Sequence, residues 1–300
     1  MERRQRTTQA RKQHQFIVEE GTELLTYLFK QFADKSRSSV KSLLKNRQVF
    51  VNGKICTQFN EPLKPGDNIS ISTEKGATAV LHPQLELVYE DADLLVVNKH
   101  HGLLSIATQS VKEKTAYYIL NNYVKRHNLR DRVFVLHRLD RETSGVMLFA
   151  KNIQTQERLQ KNWQEMVLER KYVAVVEGVP EHAHDQISSF LKENEAMNVY
   201  SSREGKLAIT NYHVLKSNGK YTLVELSLET GRKNQIRIHM ADLGHPIAGD
   251  AKYGAATNPI QRLALHACQI KFIHPTTRQV MNFQTGIPKR FSLLVKQREK

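Results

Sequence analysis

One stretch gathers side chains suited to chemistry: His137-Arg138-Leu139-Asp140-Arg141, followed by Thr143, Ser144 and Gly145. A carboxylate near guanidinium groups is held ionised, because opposite charge lowers its pKa and offsets part of the cost of burial. Taken alone, R-x-D-R is more often a salt-bridged connection between strands. The neighbouring residues supply a frame. Phe134, Val135 and Leu136 enter the segment and Val146 to Ala150 leave it, so two buried strands should bracket the polar part, with Thr143-Ser144-Gly145 fixing the turn.

Two further side chains stand out by position. Tyr172 lies in a strand from Glu169 to Gly178, and Arg237 falls in the first turn of a helix that places Ile236, Met240 and Leu243 on one face and ends at Gly244. Singly, the first reads as a core tyrosine and the second as a surface cation. His100-His101 has no Cys or carboxylate cluster close by and its adjacent positions point apart, so no metal site is expected there; His182 and His184, in E-H-A-H-D, read as a polar loop. Cys56 and Cys268 form no C-x-x-C and read as reduced, small packing residues.

The elements that must hold these groups belong to a chain of 300 residues, enough for two domains. Its 45 Lys and Arg against 30 Asp and Glu give +15, which points to a polyanionic partner. No apolar run approaches the ~20 residues of a membrane span, and Met1 to Gln9 lacks the apolar core of a signal peptide, so a cytosolic protein without membrane contact is expected.

Residues 1–14 carry five cations and read as a flexible basic arm. Over 15–73, Leu24, Leu25, Leu28, Phe29 and Phe32 mark one helix. Val40, Leu43 and Leu44, behind a serine cap among Ser36, Ser38 and Ser39, mark a second. Val49, Val51 and Ile55 alternate around Asn52-Gly53, the preferred pair for a tight hairpin, and Pro65-Gly66-Asp67 turns into a last strand. A linker is expected over 74–84. The remainder, 85–300, opens with a hairpin from Leu85 to Val97. A helix from Thr115 to Arg126 offers Tyr118, Leu120 and Tyr123 for packing, and Ile153, Leu159, Trp163, Met166 and Val167 predict an amphipathic helix. Two long strands should meet at Ser217-Asn218-Gly219, burying Val224, Leu226 and Leu228.

The stretch S-R-S-S-V-K-S-L-L-K-N-R-Q-V-F-V-N-G-K, with its two helices and hairpin, resembles the ribosomal protein S4-like RNA-binding domain. That resemblance implies RNA contact by Arg37, Lys41, Lys45, Arg47 and Lys54. Four later stretches are similar, in order, to the RluA-type pseudouridine synthases: Y-E-D-A-D-L-L-V-V-N-K, H-R-L-D-R-E-T-S-G, E-R-K-Y-V-A-V-V-E-G, and T-G-R-K-N-Q-I-R-I-H-M-A-D-L-G-H-P-I-A-G-D. The fold so implied is α+β: a mixed, mainly antiparallel central sheet flanked by helices and loops, beside a small separate α/β S4-like domain.

The implied reaction breaks the N1–C1′ bond of a uridine in RNA, turns the base and rejoins it through C5, with no cofactor and no metal. By the same resemblance Asp140 is the catalytic carboxylate, as nucleophile or as base. Tyr172 packs on the target base and assists proton removal from C5. Arg237 pairs with Asp140, and Arg138 fills the space left by the everted nucleotide. His100 stands where the family motif has proline, and Lys233-Asn234 where it has Thr-His, so altered substrate contacts are expected with the reaction kept. RNA is the implied partner, large-subunit ribosomal RNA before transfer RNA, for a protein acting as a monomer. The alternative from another class is a non-catalytic RNA-binding protein of ribosome assembly.

Overall fold

The computed structural model describes residues 13–45, 48–52, 54–56, 59–72, 80–108, 111–126 and 128–296. The arm up to residue 12, Arg47, residues 73–79 of the linker region and the side chains of Lys45 and Lys54 lie outside the described residues. The chain divides into two compact units, 1–79 and 80–300.

The first unit runs β1 (Gln13–Ile17), β2 (Thr22–Glu23), α1 (Leu24–Gln31), α2 (Arg37–Lys45), β3 (Val49–Val51), β4 (Lys54–Ile55), β5 (Pro62–Leu63) and β6 (Asn68–Ser72). Ser36 caps α2, its Oγ accepting from Ser39 N at 3.2 Å. Leu24, Leu28, Val40, Leu44, Val49 and Ile69 close a small core between the two helices and the sheet β1-β6-β3-β4. Asn52, at φ 51°, makes the turn after β3, and its side chain donates to Asp67 at 2.8 Å while Asn68 N donates back to Asn52 at 2.9 Å. The hairpin and the Pro-Gly-Asp turn are thus tied together. The arm expectation changes at its end: Gln13 and His14 belong to β1 and pair with Ser72 and Ile71, because Phe16 packs edge-on against Phe32 and draws the strand onto the sheet.

The second unit continues with β7 (Val80–His82), β8 (Leu85–Glu90), β9 (Leu94–Lys99), α3 (Ala116–Lys125), β10 (Phe134–Val135), β11 (Ser144–Ala150), α4 (Ile153–Lys161), α5 (Trp163–Met166), β12 (Val167–Glu177), β13 (His184–Glu193), β14 (Val199–Ser202), β15 (Lys206–Ser217), β16 (Tyr221–Leu228), α6 (Gln235–Asp242), β17 (Leu265–Ile273), β18 (Val280–Gln284) and α7 (Lys289–Leu294). Ten strands follow the order β14-β13-β15-β16-β12-β17-β11-β9-β8-β7, with β10 added on β11 and β18 on β17. The expected α+β class, with a mainly antiparallel sheet, is what the chain forms. Val146 to Ala150 and Leu94 to Val97 are buried without alternation, as strands covered on both faces must be. α4 packs on β11, α6 on β13, β14 and β15, and α7 on β12 and β16.

Several elements differ from the sequence reading. Residues 80–84 are not linker: β7 pairs with β8, and Pro83-Gln84 is the turn between them. His184 opens β13 and sits opposite His213 of β15, so it is not in a loop. The single amphipathic helix breaks at Asn162, whose side-chain amide donates to Arg158 O at 2.8 Å and ends α4 there. Tyr118 is exposed, the buried face of α3 being Ala116, Leu120 and Val124, and Leu243 lies just past the end of α6 and is exposed as well.

Between the strands of the described residues one pairing is parallel, β11 with β17, through Ser144 opposite His266 and Gly145 opposite Ala267. Gly145 has φ +125°, and a Cβ there would lie 2.1 Å from Ala267 O. Neither the backbone angle nor the space admits a side chain. Gly145→Ala should therefore cost at least about 2 kcal/mol of stability and lower activity, because the bracket of the 136–143 loop must part. Urea unfolding of the full chain followed by tryptophan fluorescence checks this through Trp163.

Candidate active site

Asp140 sits in the loop that joins β10 to β11, and both of its neighbours are pinned by backbone bonds. The Ser105 hydroxyl donates to Leu139 O at 2.6 Å and accepts from Leu139 N at 3.1 Å. Arg141 O accepts from Gly102 N at 2.8 Å and from the Lys99 ammonium at 3.2 Å. Lys99 is fully buried and also donates to Leu103 O at 2.8 Å and His100 O at 3.2 Å. Burial pulls its pKa down to about 7, while Asp140 and Glu142 pull it back up. Three carbonyl acceptors favour the protonated form. The carboxylate is therefore carried on a short, fully tethered segment.

Arg237 enters from the first turn of α6. Its Nε and Nη2 donate to the two oxygens of Asp250, both at 2.7 Å, and Nη1 lies 3.7 Å from Asp140 Oδ2. The fork is completed by Nη1 donating to Asn234 Oδ1 at 3.3 Å and by the Tyr253 ring, whose centroid is 4.9 Å from the guanidinium carbon. Asp250 is almost fully buried. Burial opposes the charge on Arg237, but the hydrogen bonds and charge of Asp250, joined by Asp140, raise its pKa above the ordinary arginine value. Asn234 adopts φ 57° to start the helix, and Gln235 braces the preceding loop by accepting from Arg232 N at 2.9 Å.

Tyr172 comes from β12, opposite Leu226 and Ala267. Burial pushes its hydroxyl up to about 12, with Arg170 opposing and Asp140 adding to the shift. At neutral pH it is therefore a phenol. Arg170 is fixed by Leu228 O and Glu229 O at 3.2 and 3.3 Å. His137 accepts from Leu148 N at 3.0 Å, its ring centroid 5.6 Å from that of Trp163, and burial holds it down at about 4.

Asp140, Tyr172, Arg237 and Arg138 all line one cavity of about 560 Å³. Its wall includes five cations, Arg138, Arg170, Arg232, Lys233 and Arg237, against the single acid Asp140. Trp163, which packs on the core beside β11, also reaches this wall. Arg141 does not join them: its Nε donates to Gly102 O at 3.2 Å, so the cation beside Asp140 is Arg237 and not both sequence neighbours. Arg37 and Lys41 are exposed on α2 of the other unit, Arg37 with its guanidinium 5.5 Å from the Phe29 ring. Among the described residues no group of His, Cys, Asp and Glu could hold a metal ion. Neither Cys56 nor Cys268 is held in a disulfide.

Behind Asp140 a chain of hydrogen bonds fixes the β11–β17 joint. Arg262 donates to Ser144 Oγ at 2.7 Å, which leaves the Ser144 proton for His266 Nδ1 at 2.8 Å; Nε2 then donates to Thr285 Oγ1 at 2.9 Å. This order assigns a neutral imidazole. Burial and then Arg262 hold its pKa down to about 4. Sequence reading passed over Ser105, Asp250, Arg170 and this network. Asp250 and Arg170 did lie inside the quoted motifs, and a buried-type acid after Gly249 was the available signal.

A carboxylate held against a doubly anchored arginine, at the floor of a cation-lined cavity on this sheet, belongs to a recognisable class. Residues 93–242 match the RNA pseudouridylate synthase family, and the chain belongs to it. Its reaction is thus an isomerisation and its substrate RNA. Residues 24–69 match the S4 domain. The chain is 36% identical over 277 residues to the uncharacterized RNA pseudouridine synthase YlyB of Bacillus subtilis, covering 87% of this chain and 89% of that one. It is 32% identical over 288 residues to ribosomal large subunit pseudouridine synthase D of Escherichia coli (strain K12), covering 89% and 88%. The solved structure of human RNA pseudouridylate synthase domain containing 4 superposes with a TM-score of 0.57 at 26% identity, covering 69% of this chain and 90% of that one.

Two outcomes follow for stability. Asp250→Ala leaves a mostly buried guanidinium without its paired acceptors and should cost about 3–5 kcal/mol, whereas Asp140→Ala should cost under about 1; urea titration of both variants makes the comparison. His266, neutral when folded at about 4 and near 6.5 when unfolded, binds its proton first in the unfolded chain. It contributes stability above pH 6.5 that is lost as pH falls toward 4, with a slope of at most about 1.4 kcal/mol per pH unit. The urea midpoint should fall less steeply over that window in His266→Gln than in the wild type.

Proposed function

We propose that the cavity receives one uridine everted from folded RNA and that Asp140 is the catalytic carboxylate of its conversion to pseudouridine. The observation that carries this reading is the approach of Arg237 to Asp140 within a cavity whose other charges are all cations. Two routes are open to the carboxylate, addition at C1′ or proton removal from the ribose. Each needs an anion kept in place as water leaves, which the tethered loop and the anchored guanidinium provide. The N1–C1′ bond breaks, the base turns, C5 bonds to C1′, and the C5 proton departs while N1 gains one.

Tyr172 packs on the base as a neutral phenol. Its high pKa argues for an uncharged platform and hydroxyl over a resting phenolate. Arg138, exposed at the rim, occupies the space vacated by the uridine, reducing an unstacking cost of a few kcal/mol. Arg37 and Lys41, with Lys45, Arg47 and Lys54, bind phosphate groups of the same RNA through the S4 unit.

Large-subunit ribosomal RNA is the proposed target, supported by the similarity to the Escherichia coli enzyme named for that subunit. The reading also takes the enzyme as a cytosolic monomer. Large-subunit ribosomal RNA tritiated at uridine C5 should release label to water with the wild type. Asp140→Asn should slow release by at least about a thousandfold. Undiminished release by Asp140→Asn would remove its assignment, and release from transfer RNA alone would replace the target.

A further inference from the structure

Beside the catalytic cavity lies a second hollow, of about 360 Å³, that the reaction itself does not use. Lys192 and Glu193 at the end of β13, Lys206 at the start of β15, and Arg232 and Lys233 before α6 supply its charged walls, over an apolar floor of Leu191 and Val199. Gly231, Arg232 and Lys233 line both the hollow and the Asp140 cavity, so the two are opposite sides of one three-residue wall. A strand that left the cavity across this wall would meet the hollow next. We propose that it is a phosphate-binding subsite for the RNA strand flanking the target uridine, and that Glu193 competes with RNA for Lys233.

The chemistry favours phosphodiesters. Four cations face one acid in the lining, and the hollow is broad and open at the surface. Arg232 uses its Nε on Leu207 O at 2.9 Å, which fixes the guanidinium at the rim while its terminal nitrogens keep donors for phosphate. Lys206 is exposed. Lys233 donates to Met197 O at 2.9 Å and is paired with Glu193. Without RNA this pair holds the ammonium at the mouth of the hollow; a phosphate that takes Lys233 must displace the carboxylate. Lys233 also stands where the motif that the chain resembles has threonine, which makes the extra cation a feature of this chain's substrate contacts.

The proposal rests on RNA as substrate, and its test is independent of catalysis. Fluorescein-labelled oligouridylates of about 16 and about 4 nucleotides, the range of single-strand site sizes, are titrated with the full chain across a salt series. The double variant Lys206→Ala, Lys233→Ala should weaken binding of the long oligomer about tenfold at low salt. It should also flatten the slope of log K against log salt by about 1.4, two single-strand phosphate contacts. The short oligomer should lose far less. Glu193→Gln should bind the long oligomer several-fold tighter than wild type, a change that misfolding cannot produce. The N-terminal unit is present in every variant, so its share cancels in the comparison. Unchanged binding by the double variant, or an equal loss on both oligomers, overturns the subsite. A Glu193→Gln variant no tighter than wild type overturns the competition. In either case Asp140-dependent tritium release would still stand or fall separately.

Discussion

A single guanidinium shared between two carboxylates sets the terms for the rest of the active unit. Asp250 takes the strong, paired bonds of Arg237 in a buried place, and Asp140 receives the remaining edge at 3.7 Å. An arginine free to swing would bind Asp140 bidentately and quench it as a reagent. Because Asp250 occupies the fork, Arg237 offers charge without closing over the second acid. The 3-10 turn Ala251–Tyr253 places a ring on the same guanidinium, so the anchor lies on the catalytic unit's core side and not in solvent.

The other half of the arrangement is restraint of the backbone around Asp140. A carboxylate on a loop of ordinary freedom would lose alignment to thermal motion, and here the residues before and after it are bonded to Ser105, Gly102 and Lys99. Those anchors in turn hang from β9 and from the β11–β17 joint, where the absence of a side chain at Gly145 lets two backbones touch. The sheet pairing and the placement of Asp140 thus share the same anchors. Lys99 shows the expense involved, since a buried ammonium is tolerated only because three carbonyls surround it.

How far the sequence disclosed this varied with the kind of information each residue carries. Asp140, Tyr172 and Arg237, which line one cavity, could be singled out as candidates because each stands in a stretch whose neighbours repeat a known order. The hairpins at Asn52 and Asn218 were legible because turn chemistry is local. The arginine beside Asp140 was half misread, since adjacent residues diverge in direction and Arg141 points to Gly102. Asp250 was invisible as a partner because its importance is a spatial pairing across a turn. β13 escaped notice for a related reason: from His184 to Phe190 its side chains are mostly exposed, and only pairing with β15 makes the segment a strand. The end of α4 turned on one Asn162 amide, too small a signal against a continuous apolar stripe.

Isomerisation leaves every phosphate of the RNA unchanged, so any contact the five cations of the wall make with phosphate is the same before and after the reaction. Through such contacts the modified strand is held as firmly as the unmodified one. An enzyme that relied on these contacts alone would gain no push from discarding its product. Its pace in a crowded mixture would depend on what else, such as refolding of the RNA around its restacked base, pulled the strand away.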